Sequence, residues 1–244
     1  MTLRLISLVN RGTERIRRDL RRFSGFDTLT NLPIKRVKAL KRLGSTYGGW
    51  VIPHSTIHPG AICYCAGAGE DITFDLALAN DFACEVFTFD PTPRAISHVQ
   101  RVAKFCKRLT FRAIGLWDSE QVLKFYAPLD PSHVSHSALN LQRTDTWFEA
   151  PCRPVADIMR ELGHAKIDLL KLDVEGAEYR VLDSILENGI YPTVLCVEFD
   201  EAYNPLDSNF KNRIRIAAAK LRDSGYELVA ARGRANYTFL RSPA

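Results

Sequence analysis

The 244-residue chain contains 33 Lys and Arg residues against 28 Asp and Glu residues, and 46% of its residues are hydrophobic. This mixture is typical of a globular protein and excludes a disordered or fibrous chain. The length fits one sizeable α/β domain with a short appendage, and no run of about 18 apolar residues predicts a membrane span.

The cysteines and the amino-terminal region indicate a compartment. The six cysteines include no C-x-x-C pair, and four of them lie in apolar, strand-like runs, so we interpret them as buried thiols in a reducing environment. The apolar run that ends at Val9 is shorter than a secretory signal requires. We therefore expect a cytoplasmic protein.

Basic residues are concentrated in the first 45 positions, where twelve Lys and Arg residues stand against three acidic ones. Apolar residues at helix-like spacing predict short amphipathic helices over residues 1–24, and a second basic helix over 33–43. We thus predict a basic helical extension, residues 1–45, ahead of a main domain, residues 46–244. The arginines are either simply solvated or contact an anionic surface such as membrane headgroups, a glycan carrier or nucleic acid. The second interpretation makes the protein membrane-peripheral.

From Ala61 onward, short β-type runs alternate with helical stretches, which is typical of βαβ units and a mostly parallel sheet. The predicted strands lie near 61–66, 84–90, 109–114, 167–173, 193–199, 226–231 and 236–241, and the predicted helices near 71–80, 93–107, 154–162, 177–188 and 208–224. A tight turn at residues 232–234 predicts an antiparallel final hairpin. The predicted fold class is therefore α/β, with a seven-stranded, mostly parallel sheet, an antiparallel last strand and helices on both faces.

Two segments interrupt this alternation. A β-excursion is predicted over 119–127, and a polar loop over 128–150 contains His133 and His136. Long loops in compact domains commonly serve a site or a lid. These histidines, together with His54 before the first predicted strand, are weaker candidates for contact with a substrate, because most such histidines are merely exposed.

The run AICYCAGAGEDITFDLAL predicts a buried strand, a glycine-rich turn and a helix. Gly67 and Gly69 let the backbone turn tightly and approach a ligand. About 20 residues later the run EVFTFDP predicts a second strand ending at Asp90, where a carboxylate can bind both ribose hydroxyls of a nucleoside. Together the two runs predict a pocket for a nucleoside-type cofactor.

The residues of the turn favour one cofactor over another. A dinucleotide fingerprint has a third glycine where Ile72 stands, and Glu70 and Asp71 place negative charge where a pyrophosphate would lie. Carboxylates repel phosphate but suit the cationic sulfonium of S-adenosylmethionine. In the run AIGLWDSE, Trp117 and Asp118 are candidates to flank and bind the adenine, with core packing of Trp117 as the alternative.

The run IDLLKLDVEGAEYRVLDSI predicts a strand that ends at Asp173, followed by Glu175. With Glu198, near the end of the next strand, these side chains are predicted to reach the crevice where open α/β sheets bind ligands. We interpret them as a catalytic base or as acceptor-binding groups. A divalent cation site and helix capping are the alternatives, and a metal is not favoured. Lys171 is predicted to extend to the rim of the sheet.

Over about residues 47–200, the runs CYCAGAGEDITFDLA, FTFDPTP and IDLLKLDVEGAEYRVLDSI resemble the FkbM family of methyltransferases. The resemblance implies a Rossmann-like class I methyltransferase fold and transfer of a methyl group from S-adenosylmethionine to oxygen, often a sugar hydroxyl. Tyr64 and Ala66 stand where the family commonly has Asp and Gly. The chain is similar to a sub-group with the pattern G-x-G-E-D, which moves the expected sulfonium-side carboxylate to Glu70 or Asp71.

The sequence thus predicts an S-adenosylmethionine-dependent O-methyltransferase that releases S-adenosylhomocysteine and acts on a hydroxyl-bearing acceptor, such as a glycan, a lipid-linked sugar or a related small molecule. A nucleic-acid methyltransferase or binding module that uses the basic segment is the alternative. It is less favoured, because the chain has no N-P-P-Y motif, no zinc cluster and little aromatic interleaving among its basic residues. A fold that binds the cofactor without catalysis is a third class.

Overall fold

The computed structural model describes residues 25–242. The strands are β1 Leu40–Leu43, β2 Trp50–Pro53, β3 Ile62–Ala66, β4 Glu85–Phe89, β5 Leu109–Arg112, β6 Gly115–Leu116, β7 Gln121–Tyr126, β8 Trp147–Arg153, β9 Leu169–Leu172, β10 Val194–Glu198, β11 Tyr226–Arg232 and β12 Asn236–Arg241. The α-helices are α1 Thr73–Asp81, α2 Pro93–Val102, α3 Val155–Leu162, α4 Glu178–Glu187 and α5 Phe210–Asp223, and 3-10 turns lie at His54–Thr56 and Asp200–Ala202. All seven strands and all five helices predicted from residue 61 onward are present within a few residues of their predicted ends.

The main sheet has seven strands in the order β11-β12-β10-β9-β3-β4-β5. Strands β10, β9, β3, β4 and β5 are parallel, whereas β12 runs antiparallel to both β10 and β11. The order reverses between β3 and β9, so a crevice forms where the connections leave in opposite directions. This arrangement confirms the Rossmann-like class I methyltransferase fold predicted from the sequence.

The central strands are apolar along their whole length because both faces of the sheet are covered. In β3, Tyr64 and Ala66 pack into a core that includes residues of α3, α4 and α5, whereas Cys63 and Cys65 pack with residues of α1 on the opposite face. The alternation of side chains along one strand thus divides between two cores. This burial on both faces fixes the carboxyl ends of β3 and β9 relative to each other.

A second, three-stranded sheet in the order β6-β8-β7 stands beside the main one. The predicted β-excursion over 119–127 contains β7. The loop predicted to reach residue 150 ends earlier, because β8 begins at Trp147 and pairs antiparallel with β7. A hairpin connection, residues 127–146, therefore joins β7 to β8.

The helix predicted over 33–43 was wrong. Leu40–Leu43 is a strand paired antiparallel with Trp50–Pro53, and Leu43 is buried in the same core as Phe74. Pairing with a distant strand overrides the local helical pattern here. The helices predicted over residues 1–24 lie outside the described residues, and the domain division at residue 45 and the contact with an anionic surface stay predictions. Within residues 25–242, no helix has the length and apolar character needed to cross a bilayer.

Candidate active site

A cavity opens at the carboxyl ends of β3, β4 and β9, with about 880 Å³ of empty space that includes its opening to solvent. Eight of the ten residues predicted for the site line it: Gly67, Gly69, Glu70, Asp71, Asp90, Trp117, Asp173 and Glu175. The cavity therefore brings the glycine-rich turn and the acidic segment after β9 to one place.

The glycine-rich turn is held by its neighbours. Gly67 has φ +84°, and a Cβ there would lie 1.9 Å from the carbonyl oxygen of Asp173, so that only glycine fits. Asp90 accepts hydrogen bonds at Oδ2 from the amides of Ala68 and Gly69, both at 2.9 Å. Asp90, which the sequence predicts to bind the ribose, thus also orders the turn. The sequence did not indicate this second role.

Lys171 is buried, and the prediction that it extends to the rim was wrong. Its Nζ donates to the carbonyl of Gly67 and lies 3.4 Å from Asp173 Oδ2. Burial opposes its charge, but Asp173 and Asp75 keep the pKa of Lys171 above its ordinary value. The ammonium stays inside because these partners surround it, and it links the glycine-rich turn to the acidic segment.

Asp71 fixes one wall of the cavity. It accepts hydrogen bonds from the Ser45 hydroxyl and from the amides of Gly48 and Thr73. Burial opposes ionisation, but these hydrogen bonds lower the pKa of Asp71 below its ordinary value. The segment before β2 is thereby tied down, which places Tyr47 on the cavity wall.

Glu70 and Arg94 hold in place the crossing loop, which is the hairpin connection over residues 127–146 whose middle part lines the cavity. Arg94, in α2, pairs with Glu70 at 2.6 Å and donates to the carbonyls of Pro131, Ser132 and His133. The side chains of Arg94 and Glu70 remain 43% and 46% exposed, so this ion pair is screened by solvent and contributes little to stability. Its effect is to position the loop.

Trp117 and Asp118, predicted together, are separated in the structure. Trp117 is 7% exposed, lines the cavity and packs with Phe125. Asp118 does not line the cavity, because its carboxylate accepts hydrogen bonds from Arg180 at 3.0 Å and from Ser119. Trp117 alone therefore remains a candidate for the adenine wall.

Carboxylates gather at the ends of β9 and β10. Asp173 and Glu175 follow β9, and Asp200 opens the 3-10 turn after β10. One carboxylate oxygen from each of these three residues lies within 4.8 Å of the others. Glu175 has φ +52°, a left-handed conformation that is uncommon for a residue with a side chain. Asp200 was missed by the sequence analysis, although it stands only two residues after Glu198.

Burial and mutual repulsion raise the pKa of four carboxyls at this edge of the sheet: Glu175, Glu178, Glu198 and Asp200. Burial, and then Asp173, raise the pKa of Glu175 to about 8, and the same two causes raise that of Glu198 to about 8. Burial raises the pKa of Glu178 to about 7 and that of Asp200 above its ordinary value. This edge of the sheet therefore holds more carboxylates than it can keep ionised at neutral pH.

Glu198 and the three histidines singled out from the sequence differ in their position relative to the cavity. Glu198 does not line the cavity, and its Oε2 accepts a hydrogen bond from Asn236 at 2.7 Å. His136 lines the cavity, whereas His133 lines a neighbouring depression and His54 lines neither. Ser137 donates to the carbonyl of Glu175 at 2.6 Å. It fastens the crossing loop to the acidic segment.

Comparison with known proteins identifies a family and several relatives. The protein-family model described as "Methyltransferase FkbM domain" matches residues 65–228 of this chain. Two curated relatives are the probable methyltransferase-like protein 24 of Rattus norvegicus, 32% identical over 124 residues, and that of Homo sapiens, 30% identical over 124 residues. Each match covers 50% of this chain, and 28% and 27% of the relatives respectively. The chain thus spans under a third of their length in these matches.

Among solved structures, the Methanococcus jannaschii fibrillarin pre-rRNA processing protein has 10% identity and a TM-score of 0.44, with 85% of this chain and 84% of that chain covered. Aeropyrum pernix fibrillarin with bound S-adenosyl-L-methionine has 10% identity and a TM-score of 0.38, with 86% and 85% covered. The fold assignment rests on the strand order, and the methyltransferase assignment rests on the family match, which covers most of the chain. The protein belongs to the FkbM methyltransferase family.

Proposed function

We propose that this chain transfers a methyl group from S-adenosylmethionine to a hydroxyl oxygen of an acceptor. The observation that carries the proposal is the single cavity that joins the glycine-rich turn and Asp90 to Asp173 and Glu175. One side of it suits a nucleoside, and the other presents carboxylates to a second molecule. Both halves are needed for a transfer between two bound substrates.

The lining fits S-adenosylmethionine better than a dinucleotide. Five carboxylates and one lysine line the cavity: Glu70, Asp71, Asp90, Asp173, Glu175 and Lys171. This negative balance favours a cation and disfavours a pyrophosphate. Gly67 keeps the backbone close to the end of β9, where a side chain would block the approach. When bound, the cofactor supplies an electrophilic methyl group on a positively charged sulfur.

The chain's own residues divide the remaining work. Asp90 and the apolar wall around Trp117 hold the nucleoside. Asp173 and Glu175, at the lip of the cavity, bind the acceptor hydroxyl and accept its proton as the new bond forms. The crossing loop, with Ser135 and His136 against the cavity, excludes water from the reacting groups.

A sugar hydroxyl on a glycan or related small molecule is the acceptor class that the family resemblance favours. Two of the five described basic residues of the amino-terminal segment already have partners within the protein, which makes them less available to nucleic acid. Lys35 pairs with Glu227, and Arg42 donates to the carbonyl of Ser45. We also place the chain in the cytoplasm, because its six cysteines are free thiols, as a reducing compartment maintains them.

The test has two stages. Calorimetry on the purified chain should show binding of S-adenosylmethionine and S-adenosylhomocysteine and no binding of a nicotinamide dinucleotide. Extract fractions of glycans, small metabolites and RNA are then incubated with methyl-labelled cofactor, and label is expected in the glycan or small-molecule fraction. Label in RNA alone would replace the proposed acceptor, and binding of the dinucleotide in place of the methyl donor would overturn the assignment.

The catalytic half has its own variants. Asp173→Asn and Glu175→Gln should slow turnover and keep most of the affinity for S-adenosylmethionine, because both side chains act on the acceptor. Asp118→Asn, a carboxylate outside the cavity, is the matched control and should turn over normally. Normal rates in both site variants would remove this pair from the reaction.

A further inference from the structure

We propose that Asp173, Glu175 and Asp200 form a binding site for a divalent cation with oxygen ligands. The site deepens the proposed function, because it lies at the lip of the cavity where the acceptor hydroxyl is expected. From the sequence alone, a divalent cation held by Asp173, Glu175 and Glu198 was an alternative that was not favoured. The structure groups Asp200, and not Glu198, with Asp173 and Glu175.

The geometry suits one ion. One oxygen from each of the three carboxylates lies within 4.8 Å of the other two. Ligands on opposite sides of Ca²⁺ lie about 4.6–5.2 Å apart, and those of Mg²⁺ about 4.0–4.2 Å apart. Oxygens this close together can be brought onto one ion by small side-chain rotations, which are smaller for Ca²⁺ than for Mg²⁺ or Mn²⁺. Carboxylates without thiols or imidazoles favour these hard ions over zinc.

Unpartnered buried oxygens point to a missing positive group. Asp200 is 5% exposed, and its Oδ2 is buried with no hydrogen-bond partner in residues 25–242. The fully buried Glu178 also leaves Oε2 without a partner in that range, although its Oε1 accepts from the amide of Gly176 at 2.9 Å. Buried carboxylate oxygens are costly unless a donor, a proton or a cation meets them. Glu178 lies within hydrogen-bond reach of Asp200, so a proton shared by these two carboxyls is the alternative to an ion bound by Asp200.

The site also has an entrance. Asp173 and Glu175 are half-buried and line the cavity, whereas Asp200 is buried beneath them. Lys171 approaches Asp173 at Oδ2, which leaves the second oxygen of that carboxylate for an ion. Because three ligands come from the described part of the chain, the other positions remain for water and for the acceptor.

The role of the ion rests on the proposed function. A divalent cation that binds the acceptor hydroxyl lowers the pKa of that hydroxyl and fixes its oxygen in place. The acidic residues then act on the acceptor through the ion, and the hydroxyl proton leaves to a neighbouring carboxylate or to water. The ion does not change its oxidation state in this step.

Mn²⁺ serves as the probe. The full chain, freed of metal with a chelator and then of the chelator, is titrated with Mn²⁺, and free Mn²⁺ is followed by electron paramagnetic resonance. The wild-type chain should remove about one equivalent from solution, and Mg²⁺ or Ca²⁺ should release it. Asp200→Asn and Asp173→Asn should each weaken binding by at least about tenfold. Glu70→Gln, a carboxylate of the same cavity outside the cluster, should keep it.

Two results would overturn the site. Wild-type chain that leaves millimolar Mn²⁺ free refutes the ion, and a proton shared by Glu178 and Asp200 then accounts for their unpartnered oxygens. Wild-type affinity in both Asn variants, with circular dichroism showing them folded, places the ion elsewhere. Calorimetry with S-adenosylmethionine in chelator separates this inference from the proposed function. Cofactor binding without Mn²⁺ binding refutes the ion alone, and Mn²⁺ binding without cofactor binding refutes the methyl transfer.

Discussion

Strand β9 carries acidic residues at both of its ends, and the structure treats the two ends in opposite ways. Before the strand, Asp168 is buried and accepts hydrogen bonds from the Ile62 amide at 2.9 Å and from Lys166 at 2.7 Å. After it, burial and Asp173 raise the pKa of Glu175, and the nearby Glu178 and Asp200 each have a buried oxygen with no hydrogen-bond partner in residues 25–242. We infer that one end stabilises the sheet and that the carboxylates at the other end, which the proposed function assigns to the reaction, lower its stability.

The largest effect on stability and on cofactor binding is expected at Gly67, where the glycine-rich turn contacts the acidic segment after β9. Gly67→Ala places a methyl group 1.9 Å from the Asp173 carbonyl, on a residue with φ +84°. We expect a loss of about 2–4 kcal/mol in the free energy of unfolding, together with loss of S-adenosylmethionine binding. Urea unfolding and calorimetry measure both.

Gly163→Ala is the control for backbone strain alone. Gly163 has φ +70°, but a Cβ there meets no atom within 4 Å. Its cost should be only about 1 kcal/mol, with cofactor binding unchanged. Equal costs in the two variants would show that the contact with Asp173 adds nothing.

The second largest effect is expected on the affinity for S-adenosylmethionine, at Asp90. Asp90→Ala removes the carboxylate that accepts hydrogen bonds from the Ala68 and Gly69 amides and that is expected to bind the ribose. Affinity for S-adenosylmethionine should fall by about 1–3 kcal/mol, as measured by calorimetry. Asp118→Ala, whose carboxylate lies outside the cavity, should bind normally. Unchanged affinity in Asp90→Ala would take Asp90 out of the site.

The amino end of β9 should respond to acid. Hydrogen bonds from Lys166 and Ile62 outweigh burial and hold the pKa of Asp168 below its ordinary value. Its contribution to stability is therefore complete above the unfolded pKa of about 3.9 and is lost as pH falls through the lower folded value. Asp168→Asn should cost about 1–3 kcal/mol at neutral pH.

Unfolding curves for wild type and Asp168→Asn should converge in acid. Cofactor affinity should not change, because Asp168 lies at the end of β9 remote from the cavity. A cost that persists at the lowest pH would mean that the carboxylate charge does not provide the stabilisation.

The contrast between the ends of β9 also marks what the sequence could predict. The apolar runs that form β3, β4, β9 and β10 are buried on both faces, so their composition alone indicates them. The strand β1 was read as a helix, because its pairing with β2 is set by a distant segment. Local periodicity does not contain that information.

The site shows the same limit. Gly67 and Asp90 follow local motifs and were predicted. The burial of Lys171 depends on Asp75 and on the Gly67 carbonyl, which come from other elements, so its own strand could not indicate it. Asp200 had a usable signal, since it follows β10, the neighbour of β9, at the same edge of the sheet.

The smallest expected effect is the change in the free energy of unfolding caused by Asp200→Asn, and the sign of that change is informative. Asp200→Asn replaces a buried carboxyl whose charged form is opposed by burial and then by Glu175 and Glu178, and whose Oδ2 has no hydrogen-bond partner in residues 25–242. In the presence of a chelator, the free energy of unfolding should stay level or rise by up to about 1 kcal/mol, because a residue kept for function is poorly placed for stability. Asp168→Asn is the matched change at the other end of the strand. If both variants lose the same stability in urea, the carboxylates at the two ends of β9 have the same structural role, and the division between a stabilising end and a functional end fails.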